Sequence, residues 1–210
     1  MKIFRAPRFD KDTEMPVSQK KSSSKIIVSK YALLLLFEGS SKATNMIEKI
    51  PFDELSQALE GTICTDSLHR KIYATDASVY RKTPLAVAYP STETDIQKIV
   101  RFASKYKIAM TLRAAGTSLA GQCVGDGIVI DTSKHFKKIG ALDLVNKTVT
   151  VEPGVIRDDL KRVLKPYGLY CWPNTSTSSR CMIGGMVGNN SSGTTSIQYG
   201  VTRDKVLEMK

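Results

Sequence analysis

The amino-acid sequence predicts an α+β or α/β domain from about residue 50 onward. Three observations support this prediction. An apolar run bounded by prolines at 84–90 is typical of a strand, an amphipathic pattern at 92–105 is typical of a helix, and a second apolar run follows at 108–112. A strand, a helix and a strand within about 30 residues form a βαβ unit.

Each helix in this order has its own signal. The stretch PFDELSQALEG at 51–61 predicts a short helix that ends at Gly61. In the helix at 92–105, Ser91 or Thr92 serves as the N-cap, and apolar residues recur at spacings of three and four, namely Ile96, Ile99, Val100 and Ala103.

The remaining elements follow the second strand. GIVIDTS at 127–133 and KTVTVEPG at 147–154 predict two more strands, and VIRDDLKRVLKPYG at 155–168 predicts a helix that stops at Gly168. We find no internal repeat.

Composition restricts the class of protein. The 210 residues are 41% hydrophobic and 24% charged, which is within the globular range. The net charge of +11 is compatible with nucleic acid, an anionic membrane or an anionic ligand as partner. Residues 1–30 carry eight basic and three acidic side chains without an apolar period, so we expect residues 1–45 to form a flexible, solvated basic segment.

The sequence predicts a protein that is not secreted. The run YALLLLF at 31–37 is far shorter than the about 20 residues that span a bilayer, and the leader is Lys-rich with three acids, unlike a transit peptide. The four cysteines form no CxxC pair and no zinc or iron–sulfur spacing, so we expect no metal site and a reducing, cytoplasmic location.

Two segments are too small and polar to pack a core. RAAGTSLAGQ at 113–122 is compatible with a turn, a phosphate cradle or a linker, and the glycine-rich stretch at 171–204 is too long for an ordinary loop. Glycines let backbone amides approach a ligand, and consecutive amides can bind phosphate oxygens. Because neither G-x-G-x-x-G nor a glycine loop ending in GK[ST] is present, dinucleotide-binding Rossmann folds and P-loops are excluded.

These motifs carry a resemblance. RAAGTSLAGQ after a strand, then PNTST at 173–177, then CMIGGMVGNNSSGTTSIQYGVTRDKV at 181–206, resemble the flavin-binding segments of the FAD-linked oxidases that have a vanillyl-alcohol oxidase (PCMH) type of FAD domain. The stretch at 73–100 resembles the entry segment of the D-lactate and D-2-hydroxyglutarate dehydrogenases of the iron–sulfur-fused type. The resemblance implies two α/β subdomains that cradle FAD, with residues 46–210 as the N-terminal part of that domain.

The resemblance also implies a binding role for particular residues. The first pyrophosphate loop would contain Arg113, Ala114, Ala115, Gly116, Thr117, Ser118 and Gln122. The flavin ring and ribityl chain would be approached by Pro173, Thr175, Ser176 and Thr177. The second loop would contain Gly184, Gly185, Asn189, Asn190, Ser191 and Gly193. For Arg113, an ion pair with a nearby carboxylate remains an alternative.

The implied chemistry is hydride transfer from the α-carbon of a D-2-hydroxy acid to flavin N5. Covalent attachment in this fold often uses a histidine of the first loop, and His69 and His135 both lie outside the glycine segments, so we expect non-covalent FAD. The sequence identifies no catalytic residue and no electron acceptor. Location in the cytoplasm and peripheral attachment to a membrane are both compatible with the resemblance.

The resemblance further implies that the domain continues past residue 210 and that any iron–sulfur cluster belongs to a C-terminal part. Residues 170–210 are expected to form ligand-binding loops and to contain little of the apolar alternation that would complete the sheet. We therefore expect the chain to be inactive by itself. Two alternatives remain: a non-catalytic FAD-binding fragment, and a basic nucleic-acid-binding module, which the aromatic content of 7% and the absence of a recognition motif disfavour.

Overall fold

The computed structural model describes residues 2–3, 50–171 and 173–209, with only the backbone for residues 2 and 3. The described residues form eight strands, which are β1 (Lys2–Ile3), β2 (Thr62–Cys64), β3 (Ala86–Tyr89), β4 (Met110–Arg113), β5 (Ile128–Asp131), β6 (Ile139–Asp143), β7 (Thr148–Val151) and β8 (Val206–Glu208). They also form six α-helices, which are α1 (Phe52–Ala58), α2 (Ser67–Ile72), α3 (Glu93–Tyr106), α4 (Arg157–Leu164), α5 (Ile183–Gly188) and α6 (Ser196–Tyr199).

The first sheet has the strand order β2-β3-β5-β4. Its two central strands, β3 and β5, are buried along their whole length, as their continuous apolar sequences predict. The strands β3 and β4 of the expected βαβ unit both run parallel to β5, which lies between them, and β2 is antiparallel to β3. The chain after β4 therefore forms a loop from the edge of the sheet back to its centre.

The helix of this unit confirms the N-cap prediction. Helix α3 starts after Thr92, whose side chain accepts a hydrogen bond from the amide of Asp95. Asp95 itself is buried and accepts hydrogen bonds from the amides of Glu60, Gly61 and Ser91. This carboxylate joins the end of α1 to the start of α3.

The second sheet is antiparallel and has the order β6-β7-β1-β8. Its strand β7 packs with α4 and α5 in one hydrophobic cluster that includes Val149, Val151, Leu160, Leu164, Ile183 and Met186. Lys2 and Ile3, which belong to the basic segment 1–45 predicted to be flexible, form strand β1, whose backbone pairs with β7 and β8. The rest of that segment, including YALLLLF, lies outside the described residues.

Two expectations about the second half are corrected, and a third agrees with the structure. The helix expected over 155–168 spans only Arg157–Leu164, since Pro166 cannot donate an α-helical hydrogen bond, and a 3-10 turn leads to Gly168 at φ 66°. Part of the expected second loop is the helix α5, because Ile183 and Met186 lie three residues apart and are both buried. The expectation of little strand at 170–210 agrees with the described residues there, whose one strand is the three-residue β8.

None of the helices in the described part of the chain combines the length and apolar character that a bilayer crossing requires.

Candidate functional site

A cleft of about 640 Å³ lies at the carboxyl ends of β4 and β5. Three stretches of chain line it: 72–77 with the end of α2, 113–117 with the start of the first glycine segment, and 179–182 before α5. Asp131, Ser133 and Ile156 complete the wall. The volume is in the range of cofactor and ligand pockets, and ligands in open parallel sheets bind at this end of the strands.

Arg113, at the start of the first loop, contacts Thr75 and Tyr73. Its Nη1 donates a 2.7 Å hydrogen bond to the carbonyl of Thr75, and its guanidinium lies 5.0 Å from the ring centre of Tyr73. Among the ion pairs of the described residues, none involves Arg113, so the structure does not support the alternative of a carboxylate partner. Gly116 has φ 67°, and a Cβ there would lie 2.5 Å from Arg113 Nη2.

The first loop contains backbone donors without partners, and three of these residues, Ala115, Gly116 and Thr117, line the cleft. No group among the described residues accepts a hydrogen bond from the amides of Ala115, Gly116, Thr117 and Ser118. A half-buried amide without a partner is costly, and a run of such amides is the arrangement that holds phosphate oxygens. The loop predicted to bind pyrophosphate therefore contains backbone amides that have no hydrogen-bond partner among the described residues.

The other end of this loop is fixed by two hydrogen bonds, one within the loop and one to Asp76. Ser118 Oγ accepts from the amide of Gln122 at 3.1 Å, and Asp76 accepts from the amide of Cys123 at 3.5 Å. Burial, which alone raises the pKa of Asp76, is outweighed by hydrogen bonds from Ser78, Cys123 and Ser118, so the pKa lies below its usual value. Asp76 therefore remains a carboxylate beside the loop.

The second segment uses most of its backbone donors internally. The amide of Gly184 bonds to the carbonyl of Pro153 at 2.8 Å. The amides of four further predicted residues bond within the segment, namely those of Asn189, Asn190, Ser191 and Gly193. Gly185 is exposed on α5, and a Cβ there would meet only Ala114 Cβ, at 3.6 Å. This segment therefore lets a ligand approach the backbone closely at Gly185, but it does not provide a second run of free amides.

The structure brings the two glycine segments together. Gln122 Nε2 donates a 3.0 Å hydrogen bond to Asn189 Oδ1. Asn190 Oδ1 accepts from the amide of Arg203, and Ser191 Oγ accepts from Asn189 Nδ2 at 3.2 Å. The asparagine side chains therefore hold the second segment in place and connect it to the first.

The PNTST stretch is anchored beside the cleft. Pro173 is buried, Thr175 Oγ1 lies 3.1 Å from Cys181 Sγ, and the carbonyl of Thr177 accepts from the amides of Arg180 and Cys181. Ser176 is exposed. The cleft wall itself is formed by the following residues, which include Ser179 and Arg180 and which the sequence did not identify.

Tyr73 and Asp131 are two further cleft residues that the sequence did not identify. Tyr73 Oη donates a 2.5 Å hydrogen bond to Asp131 Oδ2, and the amide of Ser133 bonds to the other oxygen at 2.6 Å. Burial, together with the hydrogen bond to Asp131, raises the pKa of Tyr73 far above its ordinary value, so the phenol stays protonated. The sequence feature that could have identified Asp131 is its position at the end of a buried parallel strand.

Arg157 positions the PNTST stretch. Its side chain is fully buried and donates to the carbonyls of Pro173 at 3.0 Å and Cys171 at 2.9 Å, to Tyr170 Oη, and to Asp158 Oδ1. Burial alone would lower the pKa of Arg157, but these hydrogen bonds and charges raise it above its usual value. A single residue of α4 thereby fixes the chain that leads to Thr175.

Residues 84–210 match the family described as the FAD binding domain. The match covers more than half of the chain, so the chain belongs to this family, and its cofactor is FAD. The resemblance inferred from the glycine segments is confirmed, as is the α+β fold.

The relatives in sequence are long proteins. The D-2-hydroxyglutarate dehydrogenase of Haemophilus influenzae is 40% identical over 157 residues, which are 73% of this chain and 15% of that protein. The glycolate oxidase subunit GlcD of Bacillus subtilis is 35% identical over 143 residues, which are 67% of this chain and 30% of the subunit. The chain thus spans about 15% of the length of the dehydrogenase it matches.

Solved structures share the fold. The 6-hydroxy-D-nicotine oxidase of Arthrobacter nicotinovorans superposes with a TM-score of 0.61 at 23% identity, over 71% of this chain and 33% of that one. The wild-type Physcomitrella patens BBE-like 1 protein superposes with a TM-score of 0.61 at 20% identity, over 74% of this chain and 34% of that one.

Proposed function

We propose that the cleft holds the pyrophosphate of FAD on the free amides of Ala115, Gly116, Thr117 and Ser118. The support is the coincidence of a run of amides without internal partners and a cleft of about 640 Å³ in an FAD-binding chain. A diphosphate is held well by fixed backbone dipoles, because they lose no side-chain entropy on binding. Arg113 and Gln122 shape this loop, and Gly185 permits close approach from the opposite side.

The remaining residues of the proposed site act around this loop. Ala114 faces Gly185, and Pro173, Thr175, Ser176 and Thr177 form the stretch proposed to approach the ring system. Gly184 packs against Pro153, where a Cβ would lie 2.5 Å from the proline Cβ. Hydrogen bonds hold the second segment in place, and the residues that make them are Asn189, Asn190, Ser191 and Gly193.

We propose that residues 46–210 are the part of the FAD-binding domain that this chain contains.

We further propose that the protein containing this chain oxidises a D-2-hydroxy acid of the D-lactate or D-2-hydroxyglutarate class. Bound flavin supplies a hydride acceptor at N5. The support is the 40% identity to a D-2-hydroxyglutarate dehydrogenase over 157 residues. In this chain the described residues bind and orient the cofactor, and Asp131 and Tyr73 keep one proton fixed between them at the wall of the cleft.

The test has two stages on the purified 210-residue chain. Flavin absorbance after gel filtration with FAD reports binding, and reduction of an artificial electron acceptor with D-2-hydroxyglutarate or D-lactate reports turnover. Binding with turnover supports the dehydrogenase in this chain, and binding without turnover supports the FAD-binding fragment. A chain that folds and leaves all flavin in the free fraction contradicts the proposed site.

We propose that FAD is bound without a covalent bond. Covalent attachment in this fold often uses a histidine of the first loop. Neither His69 nor His135 belongs to this loop, and the residue after Gly116 in the loop is Thr117. Acid precipitation of the loaded chain should release all yellow colour into the supernatant, and colour retained in the pellet would contradict this proposal.

We also propose a cytoplasmic location, with peripheral attachment to a membrane as the alternative. The four cysteines are free thiols, two of them buried, as a reducing compartment allows. Fractionation of cells into soluble and membrane parts, followed by a salt wash of the membranes, distinguishes the two locations.

A further inference from the structure

Three potential metal ligands meet at the junction between β2 and α2. Cys64 is the last residue of β2, Asp66 is the N-cap of α2, and His69 lies in the first turn of that helix. One ligand atom of each residue lies within 4.8 Å of the ligand atoms of the other two. None of the three lines the cleft.

The backbone fixes this arrangement. Asp66 Oδ1 accepts the amides of Leu68 at 3.0 Å and His69 at 3.1 Å, as an N-cap does. Asp66 Oδ2 lies 2.7 Å from His69 Nδ1, and the imidazole meets the ring of Tyr89 edge-on at 6.2 Å. The carboxylate and the imidazole are therefore held in place before any ligand binds.

We propose that Cys64, Asp66 and His69 form a site for a borderline divalent cation such as Zn²⁺, with solvent as the fourth ligand. A thiolate, an imidazole and a carboxylate are the three ligand types that Zn²⁺ takes in proteins. Ligand atoms of a tetrahedral zinc ion lie about 3.5 Å apart. The side chains would therefore adjust around the ion: Asp66 Oδ2 and His69 Nδ1, now 2.7 Å apart, would separate slightly, and no ligand atom of the three is more than 4.8 Å from another. Asp66 and His69 are partly exposed, which gives the ion and its water a way in.

Zn²⁺ binds cysteine as the thiolate, so binding at this site would release the Cys64 thiol proton to solvent.

A metal ion at this junction would fix one wall of the cleft. Helix α2 ends at Tyr73, its C-cap, and Tyr73 lines the cleft and contacts Tyr89 edge-on at 5.8 Å. The same Tyr89 contacts His69. The site is separate from the proposed FAD contacts and does not depend on the proposed activity.

The main test is metal binding by the tag-free 210-residue chain. A chelator competition assay measures Zn²⁺ affinity, and Co²⁺ provides a thiolate charge-transfer band in the near ultraviolet. We expect one ion per chain and a loss of affinity of at least about tenfold in Cys64→Ser and in His69→Gln. The matched controls Cys123→Ser and His135→Gln lie outside the cluster and should bind as the wild type does.

A second measurement uses only the wild-type chain, so a folding defect in a variant cannot decide the outcome. Zn²⁺ should slow the alkylation of Cys64 by iodoacetamide and leave Cys123 unaffected, as read by peptide mass spectrometry. Zinc affinity equal in the wild type and in the double variant Cys64→Ser/His69→Gln overturns the proposal. Unchanged alkylation of Cys64 at saturating Zn²⁺ also overturns it.

Discussion

Gln122 donates a hydrogen bond from Nε2 to Oδ1 of Asn189 at 3.0 Å, across 67 residues of sequence. This bond connects the two glycine-rich segments, and it lies at the far end of the loop from Arg113. The first segment has free amides, whereas the second uses its amides internally, so the bond joins the loop proposed to bind phosphate to the segment that supports it.

We predict that Gln122 and Asn189 contribute to FAD affinity as a pair. The variants Gln122→Ala and Asn189→Ala should each weaken FAD binding by about two- to tenfold, since a single net hydrogen bond contributes about 0.5–1.5 kcal/mol. The measurement is a titration followed by flavin fluorescence, with the double variant included. Losses that simply add in the double variant would show that the bond does not couple the segments.

The next prediction concerns Gly116. The variant Gly116→Ala should destabilise the chain by about 1–2 kcal/mol and remove most FAD binding, because φ is 67° and the new Cβ would lie 2.5 Å from Arg113 Nη2. Arg113 would then have to leave the Thr75 carbonyl. Urea unfolding and flavin titration measure the two effects, and wild-type FAD affinity in this variant would contradict a role for the loop amides.

A substitution at Gly185 tests FAD binding separately from folding. The variant Gly185→Val should keep the fold, because a Cβ at this position meets only Ala114 Cβ at 3.6 Å, yet lower FAD affinity by about five- to a hundredfold through steric block. Gly188 is the matched control on the same helix, since a Cβ there meets nothing within 4 Å. Equal FAD affinities of Gly185→Val and Gly188→Val would place the cofactor away from α5.

Arg157 should matter for stability far more than any surface arginine. We expect Arg157→Lys to lower the free energy of unfolding by about 3 kcal/mol, since an ammonium cannot reach the four acceptors of the buried guanidinium. Arg162, which is exposed and paired with Asp159, is the control, and Arg162→Lys should change stability by less than about 0.5 kcal/mol. Chemical denaturation of both variants measures the difference.

The sequence predicted the elements whose patterns are local. The strand at Ala86–Tyr89 and the helix capped by Thr92 follow from apolar runs and spacing. Gly168 ends the 3-10 turn that follows the helix at Arg157–Leu164, and its φ of 66° suits glycine, although the helix itself ends earlier than predicted. The position of β5 between β3 and β4 depends on pairing across the sheet, which no local pattern contains.

Other features of the site depend on contacts that are distant in sequence. Helix α5 contains three glycines, so its propensity is low, and it forms because Ile183 and Met186 are buried against β7 and α4. The hydrogen bond between Tyr73 and Asp131 joins residues 58 positions apart. The cluster of Cys64, Asp66 and His69 does not match a CxxC pattern, because it combines three different types of side chain.

The last prediction concerns pH and Asp95. Burial alone would raise the pKa of this carboxyl group, but hydrogen bonds from Ser91, Glu60 and Gly61 outweigh it and hold the pKa below the usual value. A group with a lowered folded-state pKa stabilises the fold in full above about pH 5, where both states are ionised, and this contribution is lost as the pH falls below about 3.9 toward the folded-state value. Asp95→Asn should therefore destabilise the chain more at pH 7 than at pH 3. Urea unfolding of wild type and variant from pH 7 to pH 3 measures this, with the exposed Asp126→Asn as control. A difference between wild type and Asp95→Asn that stays constant over this range would show that Asp95 acts through its shape and not its charge.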